Sequence, residues 1–419
     1  YEASTVIENT KQIKRKYDFI IIGAGIAGLC CAIQLTKLNY KCTILESTNK
    51  VGGRVQSDIS NGFILDHGFQ VLQTAYPKAK LFLDYDKLNL QSLDPVVLVY
   101  SEGKTHKFYN PIKQKTKILH SIFSRVGNLQ DKSLMFNLLK TNQNKSIDEI
   151  FLEPETTTSN TLDEAGFSYE IIENFFRPLL AGTFLENELN TTSRMFNFVY
   201  KIFSSGNITI PYGGMGAIGE YLESQLPLNT IRFGHKVVKL NKNKIILDNG
   251  DIIQSDLIVL ATDADTTSNL LNIKKNVEWN STTCYYFSAK KPPYRSKAVL
   301  LNGDLGPINH IFVPTNISSN YSPDDKSLIS VTVVGEKIPE EDILENLFQL
   351  FGEETKTWEH IKTYYIKKAL PKMLPDHKPM ESKIGEYYIC GDHTTHSSLQ
   401  GAIQSGQEIA LQISQSENN

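Results

Sequence analysis

The chain has 419 residues, 40% of them hydrophobic, enough for two to three domains with real cores, and its formal charge of −3 with no domain-wide basic excess excludes a nucleic-acid footprint. Five cysteines, Cys30, Cys31, Cys42, Cys284 and Cys390, show no metal-ligand spacing, so no metal site is expected, and Cys30 and Cys31 read as reduced packing residues of an intracellular protein. No run of about 18 apolar residues predicts a spanning helix, and the polar start YEASTVIENTKQIKRK lacks a signal-peptide core.

Residues 1–16 read as a loose polar arm. Residues 19–22 form a short all-apolar run, the pattern of a parallel strand buried on both faces. Gly23-Ala24-Gly25-Ile26-Ala27-Gly28 follows without a break, and apolar residues then recur at helical spacing through Ile26, Leu29, Ile33, Leu35 and Leu38. A second strand, 41–45, closes the unit on Glu46. In this context Gly23 makes a tight turn, Gly25 admits a pyrophosphate to the backbone, and Gly28 lets helix and strand pack closely. The helix start faces phosphates with unpaired N–H groups, and Glu46 stands where an acid accepts ribose hydroxyls.

After Ser47 comes Val51-Gly52-Gly53-Arg54, where two glycines permit close backbone approach and Arg54 brings a forked cation. Residues 62–73 alternate like a strand and break at His67-Gly68, with His67 read as structural. From 76 to 140 the pattern is helical with strand pieces such as 96–100. Within it, 112–140 carries six Lys/Arg against the single Asp131, with Ile118, Leu119, Ile122, Phe123 and Val126 interleaved. This stretch reads as the solvated lid of an apolar pocket, with a peripheral contact to an anionic membrane as the alternative.

A Thr-rich loop at 155–161 leads into a helical stretch, 162–203, whose FFRPLLAGTFL and MFNFVYKIF patches suggest an apolar substrate chamber. Gly214-x-Gly216-x-x-Gly219 repeats the glycine pattern. Pro211 interrupts the run before it, and the next strand, 236–240, ends without an acid, so it reads as a helix entry and not a second dinucleotide site. Residues 245–253 form a hairpin closed by Asn249-Gly250, and 257–260 is another buried parallel strand ending in Ala261. From 277 to 366 strand patterns dominate and suggest an antiparallel sheet, with a helix at 340–351. Last comes YYICGDHTTHSSLQGAIQSG, a strand running into Gly391-Asp392 and a helix beginning near Leu399.

GAGIAGL with Glu46, VGGR, the strand at Val237 with VLAT, and GDHTTHSSLQGAIQSG together resemble the FAD-dependent amine oxidase superfamily, which includes monoamine and polyamine oxidases, protoporphyrinogen oxidase and phytoene-desaturase-like enzymes. The resemblance implies an α/β fold: a Rossmann-like FAD-binding domain, discontinuous over 16–75, 208–272 and 378–419, with an α+β substrate-binding domain over 76–207 and 273–377. It implies a cofactor site of Gly23, Ala24, Gly25, Ile26, Ala27 and Gly28 with Glu46 and Ser47, then Gly52, Gly53 and Arg54. Val237 and Ala261 join at the adenine end. Gly68, Phe69 and Gln70 fall near the isoalloxazine ring, Gly391 and Asp392 at the pyrophosphate and ribityl chain, and Leu399, Gln400, Gly401 and Ala402 at flavin N1 and O2, where a helix start stabilises negative charge.

Monoamine-oxidase-like members place an aromatic residue where this chain has Ser398, and covalent members use a cysteine, whereas Cys390 falls inside a strand; noncovalent FAD is expected. Lys290 is the candidate for the lysine that many amine oxidases hold near flavin N5. The resulting expectation is an oxidoreductase, dehydrogenase or desaturase, that takes a hydride from a small apolar substrate such as an isoprenoid or tetrapyrrole and passes electrons to oxygen or a quinone. Alternatives are an amine oxidase releasing hydrogen peroxide, a flavin-binding scaffold, or an isomerase using reduced FAD. The expected location is the cytoplasm, with membrane association through 112–140 as the alternative.

Overall fold

The computed structural model describes residues 13–110, 113–114, 126–274, 277–304 and 306–417. The expected arm before residue 13 and the core of the basic stretch, including Ile118, Leu119, Ile122 and Phe123, lie outside the described residues.

Two large sheets organise the chain. The first has eight strands, six of them in the order Ile231–Arg232, Cys42–Leu45, Ile13–Ile22, Ile252–Leu260, Lys244–Leu247, Val237–Asn241. Ile13–Ile22 pairs in parallel with Cys42–Leu45 on one side and Ile252–Leu260 on the other. Tyr387–Ile389 adds a parallel pair through Val259 and Leu260. Strands covered on both faces need apolar side chains at every position, and accordingly Ile20, Ile21, Val259 and Leu260 are fully buried, each contributing roughly 1.5–3 kcal/mol. Helix Ile26–Lys37 packs against this sheet and helix Leu399–Glu417 against that helix. The two helices meet closely because Gly406 has no side chain; a Cβ there would stand 2.2 Å from the Ala27 carbonyl oxygen.

The second sheet runs Glu359–Pro371, Trp279–Ala289, Ser327–Val334, His310–Phe312, Leu300–Asn302, Val96–Ser101, Lys104–Tyr109. The antiparallel sheet expected over 277–366 is therefore a mixed one: Leu300–Asn302 runs parallel to Val96–Ser101, a strand recruited from far earlier in the chain. Side chains alternate between its faces. One face buries Tyr285, Phe287, Ile329 and Val331 under helix Glu340–Phe351; on the other, Thr282, Thr332 and His310 line a cavity.

A helical layer covers that cavity. It comprises Leu129–Gln143, Ile147–Leu152, Thr158–Glu164, then Tyr169–Ile171 passing through a π turn at Ile172–Phe176 into Arg177–Phe184, and finally Ser193–Ser205. Asn128 with Asp131 and Ser146 with Glu149 form capping boxes that fix two of the helix starts. The loop expected at 155–161 is shorter, because Thr157 accepts the Asn160 N–H and starts a helix at Thr158. Of the basic stretch, the described helix Leu129–Gln143 packs on Ser193–Ser205: Tyr200 donates to the Met135 carbonyl and Asn142 to Asn197. Met195, Phe198, Val199 and Phe203, on the other face of the same helix, line the cavity.

Candidate active site

The cavity, about 670 Å³ in volume, begins where the first strand ends. Gly23 turns there at φ +108, and a Cβ on it would lie 2.7 Å from the Ala261 carbonyl oxygen. At Gly28 a Cβ would lie 2.1 Å from the Gly23 carbonyl oxygen, so the helix can approach the strand only without a side chain. Gly25 differs: nothing stands within 4 Å of its added Cβ, and it lines the cavity with Ile26 and Ala27. No side chain caps this helix start. An uncapped helix N-terminus with open space beside its glycine fits an anionic pyrophosphate.

Glu46 is held ready beside it. Its Oε2 accepts the Ala24 N–H at 2.8 Å and its Oε1 the Thr48 N–H at 2.8 Å and the Thr48 hydroxyl at 2.9 Å, so the carboxylate is oriented and Oε2 keeps a lone pair for a ribose hydroxyl. Ser47, Val237 and Ala261 line the same end. Gly52 at φ +101 and Gly53 at φ +62 carry the chain past Gly25 into Arg54. Arg54 donates to Asp392 Oδ1 at 2.6 Å and to the Ala369 carbonyl at 2.9 Å, with its guanidinium over Trp279. Burial alone would raise the Asp392 carboxyl, but Arg54 and His393 hold it below the ordinary carboxylate range. Gly391 precedes it at φ +150.

The second glycine pattern is a helix entry, as its context indicates. The Met215 N–H donates to Asp66 Oδ1 at 2.9 Å and the Gly216 N–H to Ser57 Oγ at 2.8 Å, so that helix start is already occupied. Gly219 packs against Gly52, its added Cβ 3.0 Å from the Gly52 Cα, which makes the pattern a brace for the Gly52-Gly53 turn.

Gly68, Phe69 and Gln70 line the cavity further along, beside the second sheet. A Cβ on Gly68 would touch Ile366 and Thr282, and Gln70 donates to the Arg54 and His67 carbonyls. His67 also lines the cavity; its Nε2 is 3.1 Å from Asp58 Oδ2, a carboxylate that Lys362 and Tyr364 share, in keeping with a structural role. Leu399 and Ala402 line the far side, with Gln400 and Gly401 behind them. The Gly401 and Ala402 N–H groups are taken by the side chain and carbonyl of Ser398, leaving those of Leu399 and Gln400 without a protein acceptor among the described residues. Ser398 thus caps this helix, and it also meets His396 Nδ1 at 3.0 Å.

Lys290 does not reach the site. It follows the last residue of strand Trp279–Ala289, is exposed, and is absent from the lining. The strand faces the cavity eight and ten residues earlier, with Thr282 and Asn280, so the register that would bring Lys290 to a flavin fails.

The helical layer adds a mainly apolar wall of Phe184, Met195, Phe198, Val199 and Phe203, with the uncharged Thr183 and Thr191 among them and Met373 beside them. Its aromatic patches were visible in the sequence. His310 and Thr332 were not: both stand on strands with no motif around them. They are cross-strand partners, each 1% exposed, and both line the cavity. Burial pushes the His310 imidazole down to about 3.

A family model for the flavin containing amine oxidoreductase matches residues 26–414. Protoporphyrinogen oxidase 2, chloroplastic/mitochondrial, of Arabidopsis thaliana is 25% identical over 167 residues, 39% of this chain and 32% of that protein. The 4,4'-diaponeurosporene oxygenase of Staphylococcus aureus (strain USA300) is 30% identical over 102 residues, 23% of this chain and 20% of that protein. The chain thus spans about a third or less of the length of these curated relatives. An oxidoreductase from Methanosarcina mazei has the same fold, with a TM-score of 0.72 at 17% identity, over 94% of this chain and 99% of that one.

Proposed function

The chain belongs to the flavin containing amine oxidoreductase family, and from that premise we propose that it is an oxidoreductase that holds FAD noncovalently and removes a hydride from an apolar substrate. The substrate class is an isoprenoid or a tetrapyrrole, and the electrons pass to oxygen or a quinone. Residues 16–75, 208–272 and 378–419 would build the cofactor site, and 76–207 with 273–377 the chamber.

The distribution of charge around the cavity carries this reading. The lining carboxylates Glu46, Asp263 and Asp392 all lie on the cofactor segments, whereas the chamber wall brings Phe184, Met195, Phe198, Val199 and Phe203. An ammonium ion against that wall would lose its hydration with no anion to replace it, whereas an apolar substrate gains by leaving water.

A bound flavin would supply the hydride acceptor. The chain's own residues do the rest. Gly25 and the uncapped helix start receive the pyrophosphate, Glu46 holds the ribose, and the N–H groups of Leu399 and Gln400 offer hydrogen bonds at the ring end. The helical wall excludes water and orients the substrate. None of Cys30, Cys31, Cys42, Cys284 and Cys390 lines the cavity, and Cys390 is buried against Cys31, which supports noncovalent attachment.

The test is anaerobic incubation of the FAD-loaded protein with an isoprenoid, a reduced tetrapyrrole and a polyamine. Loss of the visible flavin absorbance with either of the first two is expected; bleaching by the polyamine alone would replace this reading with an amine oxidase.

A further inference from the structure

The floor of the chamber holds two polar atoms with nothing to bond. His310 and Thr332 both line the cavity, and His310 Nε2 and Thr332 Oγ1 are buried with no hydrogen-bond partner among the described residues. A buried polar group left unpaired costs about 1–3 kcal/mol, so such a pair on one wall of a binding cavity is a demand for a ligand.

The neighbours fix what each atom can do. Asn309 Nδ2 donates to the Pro178 carbonyl at 3.0 Å, which sets the orientation of the amide and turns its Oδ1 toward the ring. That oxygen is 2.7 Å from His310 Nδ1. A carbonyl oxygen only accepts, so Nδ1 must carry the hydrogen. Burial keeps the ring neutral, and in a neutral imidazole with its hydrogen on Nδ1, Nε2 is a bare acceptor. His310 therefore asks the ligand for a donor. Thr332, opposite it across the strand pair, can both donate and accept. A ligand carbonyl satisfies Thr332 and leaves His310 unmet. An ammonium could meet both acceptors but would be buried as a cation with no anion on this wall. A hydroxyl donates to Nε2 and accepts from the threonine, filling both.

We propose that His310 and Thr332 form a hydroxyl-recognition subsite, so that the substrate is an apolar molecule carrying a free hydroxyl group. The proposal rests on the reading of the chamber as an apolar substrate site and narrows it. The subsite is tied to the cofactor end through Phe69, whose ring meets the His310 ring edge-on at 4.5 Å. With its ring so hard to protonate, His310 is a positioning residue that holds the hydroxyl and not a base that removes its proton.

Three probes of one carbon skeleton test this by equilibrium dialysis against the FAD-loaded protein: farnesol, farnesal and farnesene. Farnesol is expected to bind on the order of tenfold more tightly than farnesal, and farnesal more tightly than farnesene. His310→Phe should erase the first difference and Thr332→Val the second, with the visible flavin absorbance confirming that each variant keeps its cofactor. Equal binding of farnesol and farnesal by the unaltered protein overturns the proposal without any variant having to fold. Farnesene bound as well as the other two overturns the subsite and leaves the apolar chamber standing; binding of none of the three overturns both.

Discussion

Arg54 Nη2 lies 2.6 Å from Asp392 Oδ1, an ion pair that clasps the end of the first glycine-rich segment to the start of the last one. The Asp392 side chain is 5% exposed and that of Arg54 37%. Removing the arginine strands a buried carboxylate, whereas removing the carboxylate charge leaves a guanidinium that reaches solvent and still bonds the Ala369 carbonyl. The fully buried case costs about 3–5 kcal/mol, and the partial exposure of Arg54 brings the expected loss for Arg54→Met to about 1–3 kcal/mol. Asp392→Asn should cost less. Urea denaturation of the two variants checks the order; the reverse order would mean that Arg54 is the more deeply buried partner, and two losses near zero that the pair is a surface contact.

Gly25 and Gly28 separate ligand binding from folding. Gly25 has an extended backbone, φ −71 and ψ 176, that alanine adopts freely, and its added Cβ meets only the cavity. Gly25→Ala should keep its stability to within about 1 kcal/mol while FAD retention on gel filtration falls at least tenfold, because the methyl takes the space of the phosphate. In Gly28→Ala the methyl meets the Gly23 carbonyl, and a loss of about 3 kcal/mol or more is expected. Equal FAD retention by Gly25→Ala and the unaltered protein would count against the cofactor site.

Acid should weaken the fold from near neutrality downward. Burial pushes the His310 imidazole down to about 3 and that of His396 down to about 4. Unfolded histidine takes its proton near pH 6.5, so between that value and the folded ones the unfolded chain holds more protons than the native one, and stability falls as pH falls. Each ring contributes about 1.4 kcal/mol per pH unit inside its window. Asp392, depressed in the fold, adds its own loss only below the ordinary carboxylate range, where the paired form is finally protonated. Urea midpoints at pH 7, 6 and 5 should drop stepwise; a flat series would show that the two rings are hydrated.

Lys290→Ala should leave flavin reduction unchanged and stability within about 0.5 kcal/mol, since the side chain is exposed and away from the cavity. A large drop in the rate of flavin bleaching would restore the lysine to the site.

The cofactor end was legible because its requirements are local. A glycine that must turn at positive φ, a glycine that must let two backbones touch, and an acid at the end of the next strand follow one another within residues 23–46. Gly52, Gly53 and Arg54 could be read for the same reason, but that Arg54 pairs with Asp392 could not, since nothing in either segment specifies the other. The second glycine pattern was separable from the first by its context, and Asp66 and Ser57 supply the physical reason: they fill the helix start that a phosphate would need. The chamber was legible only as aromatic density. Which strand residues face it depends on register, and eight residues separate Thr282, which lines the site, from Lys290, which stands in solvent. His310 and Thr332 acquire meaning only from the pairing that sets them opposite each other.

The order in which the site's parts leave the ribosome also matters. Residues 23–54 emerge before strand Tyr387–Ile389, which joins their sheet, and before the residues at 391–402 that line the cavity with them. Until translation has passed residue 402, the nascent glycine-rich turn has no opposite wall. A product that stops short of residue 402 therefore lacks one side of the cavity, and such a truncated protein should retain FAD poorly on gel filtration.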